Sequence, residues 1–440
     1  MDTTPTTTEA HTTTPQDEAE ALPPITAEML SGLTPETWPA RAHHVAKIHV
    51  QDPDGLFILN VRGEENNYAV DWDNDGTFDD LNLTGQTSHE YDEPGTYTIR
   101  LAGDIHALSW CSTSHQAKNK LSSYTTTDEE HIVDIEQWGN IQWRSMELMF
   151  AHCPTLEGWS ASDTPDLSRT TSMASMFLGA AQFNTTMGAW DTRHVTDMNS
   201  MFLGATRFNQ PLDQWDTRHV TDMSNMFNSA KVFNQPLNTW DVSNVTRMNN
   251  MFAYTQRFNQ PLDQWKVDKV TDMSNMFEHA NAFNQPLNTW NMSNVTTTYN
   301  MFQSALSFNQ PLDQWDVSNI TNMAAMFSRA RSFNQPLNTW DVSNVTNMSW
   351  MFSRATTFNQ PLDTWNIKNV FAMQSMLKGT FSMSTENYDA TLNGWAKLPS
   401  LQKNVILDAT GLSFCTSADA RQKIEATHNW TIQGDHKKCP

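Results

Sequence analysis

Asp71-Trp72-Asp73-Asn74-Asp75-Gly76-Thr77-Phe78-Asp79-Asp80 contains the pattern DxDxDG. Carboxylates at alternate positions, followed by a glycine that allows a sharp turn, can wrap a Ca²⁺ ion. Asp71, Asp73 and Asp75 take the first, third and fifth places of such a loop, and Asp79 takes the ninth. The twelfth place, normally a bidentate Glu, is Asn82, and the flanks read as strands, so the segment is not an EF-hand. An acidic β-turn is the simpler reading of these residues, and a weak Ca²⁺ site is the alternative. No other cofactor is expected.

A second set of side chains has the chemistry of anion binding. Arg329, Arg331 and Arg354 lie in adjacent repeat units, just after a Met-Phe pair and just before a Phe-Asn pair. Positions of this kind vary most between units and include Arg207, Tyr254, Arg257 and His279. Stacked, the three arginines make a small basic spot that can grip carboxylates or sulfates. A solvated face without a ligand is the simpler alternative. The repeated Met residues, at spacings of three beside Phe and Ala, read as core rather than as soft metal ligands. No Asp/Glu pair and no Ser/His/Asp set stands apart from the repeat columns, so no catalytic residues and no enzyme are expected.

The elements that carry these residues follow from a 25-residue step. Met-Phe pairs recur from Met176-Phe177 to Met351-Phe352, and Trp recurs from Trp190 to Trp365, with no insertions. A fixed period of this size means units that bury their apolar sides only against neighbours. Within one unit Val220, Met223, Met226, Phe227 and Ala230 have helical spacing, and Thr239-Trp240-Asp241-Val242 reads as one rung of a parallel sheet. The predicted fold class is an α/β repeat solenoid of leucine-rich-repeat type, one short strand and one short helix per unit, after a small all-β sandwich. The Trp column is expected half-buried. Asn184, Asn209, Asn234, Asn259, Asn284, Asn309, Asn334 and Asn359 form a column after Phe, and an amide can satisfy its own turn and the next rung. Asp and Asn alternate from Asp213 and Asn238 to Asp363, which doubles the distance between stacked charges.

The flanks divide the 440 residues further. Residues 1–43 are Thr-, Pro- and Glu-rich and read as a disordered leader. Residues 44–104 read as the β-sandwich, and 105–172 as an N-terminal cap with degenerate repeats. The regular array spans 173–376, and 377–440 form a C-terminal cap. Cys415 and Cys439 are a plausible disulfide, Cys111 and Cys153 a weaker one, and four free thiols the alternative. With 49 acidic and 27 basic residues the net charge is −22, so the chain as a whole would repel a phosphate backbone or an anionic membrane surface. No apolar run is long enough to insert in a membrane. The N-terminal stretch has neither a basic start nor an apolar segment, so it is not a signal peptide.

The unit FNQPLDQWDVSNITNMAAMF closely resembles the BspA-like bacterial surface-protein repeat, a kind also common in mycoplasma lipoproteins. DIEQWGNIQWRSMELMFAHCP resembles that family's N-terminal cap, and NYDATLNGWAKLPSLQKNVILDATGLSFC its C-terminal ending. VDWDNDGTFDD and HEYDEPGTYTIRLAG resemble a PKD-like β-domain. The resemblance implies a secreted or surface-attached bacterial protein, its export signal removed, that contacts host or neighbouring-cell macromolecules. Extracellular proteins or glycans are the expected partners, and a monomer the expected state. A structural spacer without its own ligand is the rival reading, and a glycan-active enzyme a remoter one.

Overall fold

The computed structural model describes residues 42–50, 55–111 and 131–439, together with Thr34 and Thr37. Most of the expected leader lies outside the described residues, as do residues 112–130.

Alternation of apolar and polar residues builds the first part of the fold. In β1 (His44–Val50) it buries Ala46, Ile48 and Val50, and in β2 (Leu56–Arg62) it buries Phe57, Leu59 and Val61. Antiparallel pairing joins β3 (Asn67–Asp71), β4 (Asp80–Leu83), β6 (Gly95–Asp104), β1 and β8 (His131–Gln137) in the order β4-β3-β6-β1-β8. A second antiparallel sheet runs β5-β2-β7, with β5 at Thr87–Glu90 and β7 at Ala107–Ser109. Both sheets contribute to one apolar core. The expected limits of 44–104 are thus too narrow, because β7 and β8 follow them in sequence.

The repeats do not contain the expected helix. From Met198 to Ala205 the backbone donors alternate in direction. Met201, Leu203 and Ala205 close turns on the carbonyls of Met198, Ser200 and Phe202, at 3.3, 3.1 and 3.0 Å. Ser200, Phe202 and Gly204 donate instead to Ser224, Met226 and Asn228 of the next unit, at 2.8, 2.9 and 2.8 Å. An α-helix would direct every donor to the carbonyl four residues back and leave none for a neighbour. Two left-handed residues per unit, here Ser200 (φ 56°) and Gly204 (φ 75°), hold this path. Nor is there a strand at Trp240; parallel pairing falls on single residues, from Ser172 through Asp197 and Asp222 to Ala372. The α/β fold class is therefore corrected. Among the described residues, regular structure comprises strands, mostly in antiparallel sheets, and two short helices, α1 (Thr385–Trp395) and α2 (Ala418–His428), both after the repeats.

Stacking brings like residues together. Phe177 and Phe202 have ring centroids 5.5 Å apart and nearly parallel planes, and the column continues to Phe352. Trp residues of the column are at most 4% exposed rather than half-buried. Each indole from Trp215 to Trp365 donates to a backbone carbonyl of the preceding unit, as Trp240 does to Leu212 at 2.9 Å. Asn209 accepts the N–H of Asn234 at 2.8 Å, and the same bond links every neighbouring pair from Asn184 to Asn359.

Both ends of the stack are closed. Upstream, a Cys111–Cys153 disulfide and bonds such as Trp110 N–H to Met149 join the sheets to the first unit. His44 lies in this joint, its ring 5.4–5.7 Å from those of Trp110, Trp138 and Trp143. Downstream, Met373 bridges to Leu407 of β9 (Ile406–Asp408), which pairs in parallel with β11 (Thr431–Gln433). Cys415 and Cys439 are bonded and tie the tail to β10 (Ser413–Phe414). Asp389 of α1 accepts the N–H groups of Cys415, Thr416 and Ser417.

Two expectations follow for stability. Replacing Asn259 by Ala orphans the N–H of Asn284, now 2.9 Å from the amide oxygen, and should cost about 1–3 kcal/mol. A lower urea midpoint would show it; an unchanged midpoint would refute the ladder's role. Burial pushes His44 down to about 4, against a hydrogen bond to the Trp138 carbonyl. The unfolded chain therefore binds the proton first as pH falls below about 6.5, and stability drops until the folded value is reached, by roughly 3 kcal/mol in all. Thermal melts between pH 7 and 4 should show this slope, and His44→Phe should flatten it.

Candidate functional site

Arg329 and Arg354 occupy the same place in adjacent units, the second left-handed position, each with φ 59°. Their backbone N–H groups reach Ser353 and Lys378 of the following unit at 2.7 and 2.8 Å. This bonding fixes the spacing of the two side chains. Arg331 follows two residues later, and its carbonyl accepts the Thr357 hydroxyl at 2.6 Å. All three arginines are exposed. Together with Lys378, Thr356, Phe381 and others they line one cavity of about 460 Å³.

Charge in this cavity is poorly balanced. Among the described residues no carboxylate lies within ion-pairing distance of the three guanidinium groups. Lys378 is partnered, 3.4 Å from Asp408. Phe381 stands beside them 70% exposed. Unpaired guanidinium forks next to an apolar ring offer bidentate bonds to a carboxylate or sulfate, with a surface for the rest of the ligand. The sequence brings out the three arginines because Arg329 and Arg354 share a repeat position and Arg331 lies two residues beyond it. Lys378 and Phe381 escape that reading because they lie past the last Met-Phe pair, where the pattern decays; the signal is the Lys378-Gly379 that follows Met376-Leu377.

The acidic loop is only partly assembled as expected. Asp71, Asp73 and Asp79 each place an oxygen within 4.8 Å of the others. Asp75 stands outside this group, and its carboxylate accepts the Thr77 N–H at 2.7 Å. Asp71 is buried, and its Oδ1 has no hydrogen-bond partner. Burial holds the Asp71 carboxyl above the usual range, against the Gly76 N–H and the Arg100 guanidinium. Three carboxylates with one under-compensated oxygen are a donor set suited to a hard cation such as Ca²⁺. The eight column asparagines take part in the ladder and do not converge on either site.

A further groove of about 870 Å³ lies at the other end of the repeats, where Arg193, His194, Arg218 and His219 meet Asp191 and Asp216. Sequence reading passed over it, although Asp-Thr-Arg-His stands twice where three later units read Asp-Val-Ser-Asn. Arg193 and Arg218 are paired with Asp191 and Asp216 at 2.8 and 2.9 Å. Its net charge is therefore smaller than that of the Arg329 cavity.

Known proteins add one finding. A family model described as Mycoplasma protein of unknown function, DUF285, matches residues 144–244, 211–312 and 285–395. No curated protein and no solved structure matches. No helix among the described residues is long and apolar enough to cross a membrane. The three overlapping matches together cover more than half of the chain, and the chain belongs to the DUF285 family.

Proposed function

We propose that this chain is an extracellular, surface-associated binding protein of BspA-like type that recognises an anionic group on a protein or glycan of a host or neighbouring cell. The cavity of Arg329, Arg331 and Arg354 is the recognition site. One observation carries this reading: three exposed guanidinium groups without acidic partners converge in a protein of net charge −22. In so acidic a chain, carboxylates for pairing are plentiful. Three arginines left without them hold donors for something outside the chain. The family match and the repeat resemblance are compatible with a surface location. Regular stacking adds a means to strengthen weak contacts, since a polymer or clustered partner can engage several units at once.

The test is a binding screen of the purified chain against extracellular-matrix proteins and glycans, with and without Ca²⁺. A saturable partner should bind at least tenfold more weakly to Arg329→Ala/Arg331→Ala/Arg354→Ala, about 1.4 kcal/mol or more. Binding that survives the triple change would move the site elsewhere. A blank across the screen would leave the spacer reading. A partner that requires Ca²⁺, and is lost in Asp71→Asn/Asp79→Asn, would place recognition at the acidic loop instead.

A further inference from the structure

We infer that the second left-handed position of each unit forms a track for an acidic polysaccharide, with an aromatic section that stacks sugar rings and a cationic section that holds their carboxylates or sulfates. The inference rests on the reading above and names its ligand class. The column reads Gly179, Gly204, Ser229, Tyr254, His279, Ser304, Arg329, Arg354 and Gly379, all with φ between 55° and 76°. This conformation is unfavourable for side chains other than glycine, and most so for bulky ones. Glycine fills the place in the first two regular units and in the last. Tyr, His and two Arg fill it in between, and the backbone bonding does not require them: Tyr254 N–H reaches Glu278 at 2.7 Å, just as Gly179 N–H reaches Leu203 at 2.7 Å. Large side chains kept in a strained place that glycine also fills point to use by a ligand.

The side chains themselves identify that ligand. Tyr254 and His279 are stacked with ring centroids 4.7 Å apart and planes within 12°. Tyr254 is 40% exposed, so the pair presents an aromatic edge to solvent. Beyond Ser304 come Arg329 and Arg354, with Arg331 and Lys378 beside them in the cavity. Successive units are about one strand spacing apart, roughly 5 Å, a step comparable with the length of one sugar in a chain. Among the described residues, Asp408 is ion-paired with Lys378 at 3.4 Å, and Glu278, which has no cationic partner, accepts the Tyr254 hydroxyl at 3.2 Å. At physiological ionic strength the remaining negative charge is screened beyond about 8 Å, which leaves the local arginines to set the sign.

The experiment uses the full chain and two glycine variants, Arg329→Gly/Arg354→Gly and Tyr254→Gly/His279→Gly. Glycine relaxes the left-handed backbone, so the melting temperature should hold or rise in both. Probes are hyaluronan and chondroitin sulfate fragments of increasing length, dextran as the neutral polymer, and an acidic peptide. The acidic polysaccharides should bind with affinity that rises with length over the first four to six sugars, roughly the span from Tyr254 to Arg354, while dextran does not bind. The arginine variant should lose at least tenfold and the aromatic variant about threefold or more. If the arginine variant loses binding and the aromatic variant does not, the cavity stands and the track is overturned. If only the peptide binds, the anion site stands and the polysaccharide is overturned. If the arginine variant binds as well as the parent chain, both readings fail. Melting temperatures that fall in both variants would assign these side chains to the fold and overturn the track.

Discussion

The division of backbone donors between a unit's own turns and the next unit governs this molecule. A segment that closes every second N–H on itself keeps the others for its neighbour, and units can then join edge to edge without a sheet of ordinary strands. The requirement shapes the rest. It forces two left-handed residues per unit, so Ser or Asn fills the first of these places from Ser175 to Ser375 in all units but those of Ala325 and Trp350. It sets like residue over like residue, so Phe meets Phe and Asn meets Asn. Any side chain that is awkward in one unit is repeated alongside itself, and the column compositions follow from that.

The alternating Asp/Asn column shows the same constraint in its polar form. Asn238 donates to Asp263 at 2.9 Å, and Asn288 donates to Asp313 at the same distance. Gln264 and Gln314 add bonds to these carboxylates, and Asp263 and Asp313 are held below the usual carboxylate range, chiefly by those glutamines. Separation of charges is one benefit of the alternation. The other is that Asp263 and Asp313 each receive a donor that a second acid could not supply.

Much of this was legible in sequence, and the rest was not for definite reasons. The step of 25, the Asn ladder and the convergence of Arg329, Arg331 and Arg354 could be read because repetition turns sequence distance into spatial adjacency. The helix was misread because Met223, Met226, Phe227 and Ala230 have spacings of three and four, which successive three-residue turns produce as readily as a helix does. Residue types at positive φ were the missed evidence: Ser, Asn or Gly twice within six residues is poor helix and good turn. Trp395 also misled. It comes five residues late, yet its indole donates to Leu362 as Trp365 does to Leu337, because α1 takes up the extra residues. Paired Asp71 and Asp79 were foreseeable from spacing, whereas the exclusion of Asp75 depended on which backbone N–H its carboxylate found.

The two disulfides have a mechanical consequence. Cys111–Cys153 and Cys415–Cys439 bracket the stack, so tension applied at the chain ends bypasses the residues inside each loop and reaches the units between them. There the bonds between units lie side by side and open in succession when an end is peeled. Each released unit would pay out about 85 Å of slack, from roughly 3.4 Å per residue. A protein built this way yields in small, repeated steps under load, and lengthens well before its covalently tied ends give way.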